Sequence, residues 1–138
     1  MSRDIKFRAW DKEENKMSWV TGLDFRRNHE QLSSPIKITE VHTNYDIMCY
    51  PEIKDFLVLM QYTGLEDKNG VEIYEGDIII IDGNTTDVFF NSSCACFDVD
   101  SQDLLSYFDM YNPYDFEVEV IGNIYENPEL LEGGEDEN

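Results

Sequence analysis

The densest chemistry-bearing run of the chain lies between residues 98 and 119. There Asp98, Asp100, Asp103, Asp109, Asp115, Glu117 and Glu119 interleave with Tyr107, Phe108, Tyr111 and Tyr114. Carboxylates repeated along a strand and a helix approach the charge density of a nucleic-acid strand, which carries one phosphate about every 3.4 Å. Such a surface suits a basic groove that otherwise holds nucleic acid. Aromatics among the acids supply the desolvated anchors that charge alone lacks. These seven carboxylates, with Tyr107, Tyr111 and Tyr114, are the candidate partner-binding residues.

Other chemistries fit less well. His29 and His42 lie in the least patterned stretch, and neither neighbours a nucleophile, so no catalytic residue is expected. Cys94-Ala-Cys96 places two thiols on one face of a strand. No second pair or His follows at zinc spacing, Cys49 is 45 residues away, and the two thiols read as small buried residues. The run from Asp98 echoes a calcium loop but lacks the glycine at its sixth position and has Asp109 where the bidentate Glu belongs. The dipole of a helix starting near Ser101 explains those acids instead. Glu117 and Glu119 would share a strand face about 6.6 Å apart, a separation compatible with glycosidase carboxylates, but no aromatic sugar platform accompanies them. No glycine-rich phosphate loop occurs, and no metal or cofactor is expected.

The charge that frames these residues is lopsided. The 138-residue chain carries 10 Lys+Arg against 30 Asp+Glu, a formal net charge of −20. Residues 1–68 hold all ten basic and twelve of the acidic side chains, net −2; residues 69–138 hold eighteen acids and no Lys or Arg. Direct binding to nucleic acid needs clustered cations and is excluded on this balance. A hydrophobic content of 41% with 13% aromatics is too high for a disordered acidic chain. No apolar run approaches the roughly 20 residues of a membrane helix, the N-terminus is no signal peptide, and three cysteines form no even framework. The expected place is a reducing cytoplasm.

The elements that must position these residues read as mainly β. Ile5 to Trp10 alternate, DKEENK makes a polar connection, and MSWV returns to form a hairpin with Phe7 and Trp19 as core or subdomain-contact aromatics. Thr21–Ser34 shows no period. IKITEVH alternates as a strand, and Pro51 limits NYDIMCYPEI to an edge or a connection. FLVLMQYTGL is a strand, and Asn69-Gly70 offers the positive-φ pair of a type I′ turn. Val71 and Ile73 follow on one face. Ile78–Ile81, β-branched throughout, predicts a central strand buried on both faces. DGNTTD reads as a turn, VFFN as a short strand, and Ser101–Tyr111 as a helix ended by Pro113. FEVEVIGNIY is a last strand, and LLEGGEDEN an acidic tail.

Three blocks then stand out: IKFRAWDKEENKM at 5–17, LMQYTGLEDKNGVEIYEGDIIII at 59–81 and VIGNIYENPELL at 120–131. Together they resemble the YopX family of phage and prophage proteins in order, spacing and overall length. The resemblance implies a small SH3-like, partly open barrel in the C-terminal part and an N-terminal β-hairpin subdomain, alongside the short helix near 101–111. It implies boundaries at 1–55 for the N-terminal β piece, 56–131 for the barrel with its helical insertion, and 132–138 for the tail. It also implies a phage or prophage gene expressed in the cytoplasm of a bacterial host, and self-association, but no activity. The shared blocks read as scaffold, with Gly64, Gly70 and Gly76 at turns and Asn123, Tyr125 and Asn127 closing bonds around the last strand.

The expected function is that of a non-enzymatic accessory protein. It binds the basic surface of a host protein through an acidic, nucleic-acid-mimicking face, for instance to inhibit a nucleic-acid or defence enzyme. The alternative is a structural, self-assembling module, a homo-oligomer whose acids only keep it in solution.

Overall fold

The computed structural model of the chain describes residues 4–26, 37–49, 56–81, 83–99 and 117–132. Within them the protein is mainly β, with two open antiparallel sheets and one short helix, in keeping with a partly open barrel. The expected helix over 101–111 lies outside the described residues. Two compact units divide the chain, residues 6–60 and residues 1–5 with 61–138.

In the N-terminal unit, β1 (Phe7–Asp11) and β2 (Lys16–Arg26) form the expected hairpin, followed by β3 (Lys37–Thr43) and β4 (Ile47–Cys49). They lie in the order β4-β3-β2-β1, with β4 the edge strand that Pro51 suggested. The Asp11 carboxylate accepts the Glu13 and Glu14 amides and so turns the DKEENK connection. Ala9, Val41 and Leu57 form the buried centre, with Leu23, Ile38 and Met48 packed against it. Two expectations are revised here. β2 runs on to Arg26 through the stretch without a period, because its pairing with β3 supplies the backbone bonds that the sequence pattern does not announce. Trp19, expected in the core or at a subdomain contact, is 53% exposed and so is not in the core, since its neighbours Ser18 and Val20 take the inward positions.

β5 (Leu57–Glu66) begins in this unit and continues into the other, where it pairs with β6 (Glu72–Tyr74). The turn between them differs from the expected type I′. Gly70 has φ +81, whereas Asn69 is not among the positive-φ residues. Asp67 N–H donates to Val71 O at 2.8 Å and Gly70 N–H to Asp67 O at 3.0 Å. That is a three-residue loop closed by a single left-handed glycine, and Val71, placed beside it, is 46% exposed while Ile73 is fully buried.

The second sheet has the order β10-β7-β8-β9, with β7 (Asp77–Ile81), β8 (Asn84–Asn91), β9 (Cys96–Val99) and β10 (Val118–Asn123). The isoleucine run is central as expected. Ile78, Ile79 and Ile81 are buried, and the core adds Ile73, Val88, Val99 and Val118. β8 takes in the NTTD that composition assigned to a turn, because Asn84 already pairs with Ile81 and Thr85 to Asp87 follow in register. After β10 the chain closes into α1 (Glu129–Glu132), one helical turn that runs into the start of the acidic tail. Pro128 opens it, its missing N–H being no loss at a helix start.

Candidate functional site

Of the candidate partner-binding residues, the structure describes three. Glu117 is exposed at the start of β10, and Glu119 is half-exposed on it. Asp98 on β9 is buried. One of its oxygens accepts the Val99 amide at 2.9 Å and the other the Asn91 side-chain amide at 3.2 Å, so it ties the β8–β9 hairpin together. Asp100, Asp103, Tyr107, Asp109, Tyr111, Tyr114 and Asp115 lie outside the described residues.

The second half does not meet its acids wholly alone. Lys68, at the end of the basic half, brings its ammonium to 3.8 Å from Glu119. The β5–β6 turn lies beside β10 here, with Lys68 N–H donating to Val118 O at 3.0 Å. Asp67, next to it, is a structural carboxylate. It is almost fully buried, and its two oxygens accept the amides of Asn69 at 2.8 Å, Val71 at 2.9 Å and Val120 at 3.0 Å. Burial pushes its pKa up, but the three backbone donors and the Lys68 charge overrule that and hold it below the usual aspartate value. Asp77 likewise accepts the Tyr74 amide at 2.7 Å across the Gly76 turn. Asp67 and Asp77 of the 59–81 block are thus scaffold.

The thiols of Cys94 and Cys96 face each other at 2.6 Å, but not from one strand face. Cys94 is exposed in the β8–β9 turn and Ala95, between the thiols, has φ +54.

The N-terminal unit contains two features that reading along the chain missed. A groove of about 430 Å³ is lined by Asp11, Glu13, Glu14 and Asp46 together with Tyr45 and the apolar Met48 and Leu57. Its cation, Lys16, pairs with Glu14 at 3.3 Å and stands 4.0 Å over the Tyr45 ring. The second feature lies on β2 and β3, where Asp24, Glu40 and His42 converge. His42 Nε2 is 3.0 Å from Glu40 Oε2 and 3.7 Å from Asp24 Oδ2. The alternation of IKITEVH already placed Glu40 and His42 on one face. Asp24 could be added only from the β2–β3 register. Among the described residues this is the one group of three metal-capable side chains whose donor atoms lie within 4.8 Å of one another.

Comparison with known proteins adds two likenesses. Residues 6–132 match the family described as YopX protein. The crystal structure of protein EF1440 from Enterococcus faecalis is similar to this chain at 31% identity and a TM-score of 0.55, over 94% of this chain and 99% of that one. No curated protein matches.

Proposed function

The chain belongs to the YopX family, and on that premise we propose that it is a small phage-type accessory protein that binds a basic surface of a host protein and performs no catalysis. The observation that carries this reading is the partition of charge, eighteen acids and no Lys or Arg over residues 69–138. Such a surface attracts a basic protein over distances comparable to the Debye length and repels nucleic acid. The groove of the N-terminal unit, with four carboxylates around Tyr45, extends the same preference into the first half. In this reading the protein works in the bacterial cytoplasm and occupies a groove that a host enzyme keeps for nucleic acid.

The reading is tested by affinity capture from bacterial lysate over a salt series, with two variants alongside. One replaces Asp100, Asp103, Asp109 and Asp115 by Asn and Glu117 by Gln, leaving the buried Asp98 in place. The other carries Glu13→Gln and Glu14→Gln. The expected result is a stoichiometric partner, released by salt and lost in the first variant. Loss only in the second variant moves the contact to the groove. Recovery of the protein solely as its own oligomer overturns the reading.

That last outcome has an observation behind it. Trp19, Phe25, Tyr45 and Ile47 of the N-terminal unit are each more than half exposed, and apolar side chains of that size at a surface favour association between copies. Under this second reading, light scattering gives a concentration-dependent oligomer that Trp19→Ser or Phe25→Ser dissociates.

A further inference from the structure

Asp24 and Glu40 are direct cross-strand partners in the β2–β3 ladder, and His42, which pairs with Gly22, lies two residues beyond Glu40 on the same face. Two carboxylates placed opposite each other repel unless a cation lies between them. The ladder runs in register from Gly22↔His42 to Asp24↔Glu40. A register shift borders it on each side, at Val20/Gly22 and at Asp24/Phe25. Bulges of this kind re-aim side chains and end pairing beside functional sites. Between them, Val41 points into the core and is fully buried, so Glu40 and His42 are committed to the opposite, solvent-reached face.

The four positions on that face, 22, 24, 40 and 42, form a square with donors at three corners and glycine at the fourth. Gly22 is not held by backbone conformation, being absent from the positive-φ residues. Nor is it held by crowding, since a Cβ there would meet His42 only at 3.6 Å, an ordinary contact. Its effect is to leave space beside the imidazole. Glycine inside a strand costs stability and marks places where something approaches closely.

From this arrangement we propose that Asp24, Glu40 and His42 form a site for a divalent first-row transition ion such as Zn²⁺. Two carboxylates and a neutral imidazole balance the charge of the ion, and O, O, N donors suit a borderline cation. With metal–ligand bonds of about 2.1 Å, adjacent donors in a coordination sphere are about 3.0–3.4 Å apart. The separations of 3.0 Å and 3.7 Å from His42 Nε2 are close to that. The side chains are 32–49% exposed, so water completes the sphere on the open side and the ion enters without any rearrangement of the fold. Three protein ligands with an open position is the pattern of sites that bind and polarise a further ligand.

The chain has two histidines, so its imidazole NMR signals are few, and thiol binding at Cys94 and Cys96 does not move them. Zn²⁺ added to the full chain is expected to shift one imidazole set, the one missing in His42→Gln, with saturation near one equivalent. Asp24→Asn and Glu40→Gln, each with an unchanged far-UV spectrum, are expected to weaken the binding by about tenfold or more, the loss that even outer partners of a ligand cause. The proposal fails if the His42 signals stay in place under excess Zn²⁺. It also fails if they shift equally in both carboxylate variants, which would mean an ion gathered only by the net charge.

Discussion

Asp67 is a carboxylate taken almost entirely out of water and still kept charged, because three backbone N–H groups and the Lys68 ammonium surround it. Two of those amides belong to its own turn and the third to β10, so one side chain fastens the β5–β6 turn to the last strand. Asp67→Asn keeps the shape but gives up an acceptor and turns an NH₂ toward amide donors. It is expected to cost about 1–3 kcal/mol at neutral pH. The pH dependence has a definite sign. The folded state lowers the Asp67 pKa, so its contribution is complete above the unfolded value of about 4 and is lost as pH falls through the lower folded value. Urea midpoints of wild type and Asp67→Asn should therefore differ most at pH 7 and converge on acidification. A constant gap would deny the carboxylate this role.

At the level of the element, two strand glycines make opposite predictions. Gly122 on β10 lies against α1 and the turn before it; an added Cβ would come within 2.6 Å of Asn127 Oδ1 and 2.9 Å of a Leu130 methyl. Asn127 is held there by the Asn123 amide, so it yields poorly. Gly122→Ala is expected to cost about 1–3 kcal/mol, read as a lower thermal midpoint. Gly22 on β2 has room for a methyl and ordinary φ. Gly22→Ala is expected to be neutral or stabilising by up to about 1 kcal/mol, through the reduced freedom of the unfolded chain. If the two substitutions cost the same, the packing of α1 on β10 does not explain Gly122.

For the molecule as a whole, a net charge of −20 on 138 residues opposes compactness, since thirty acids exceed ten cations whatever pairs form. Raising the ionic strength from about 10 mM to about 1 M shortens the Debye length from about 30 Å to about 3 Å. The thermal midpoint is expected to rise over that range, in NaCl as in KCl. A flat response would mean that the acids are spaced too far apart to feel one another. The same screening releases a basic partner, so conditions that stabilise the protein weaken the binding proposed for it.

Much of this was legible along the chain. The alternation of IKFRAW and IKITEVH, the β-branched Ile78–Ile81 and the turn glycines specify strands and their breaks, because side-chain period and backbone freedom are local properties. The three shared blocks specify the family, and counting specifies the charge partition. What the chain could not announce depends on which strands lie side by side. A period of two assigns Glu40 and His42 to one face but does not say that Asp24 stands opposite; that follows from the β2–β3 register, which two bulges reset. Counting residues likewise left Glu119 without a cation, and only the approach of the β5–β6 turn to β10 brings Lys68 to it. Asp98 read as a surface charge until the β8–β9 hairpin gave it an amide and an Asn91 partner and buried it. Local sequence sets the element and the face of each residue, whereas pairing and burial are contacts between distant segments, decided only when the whole chain folds.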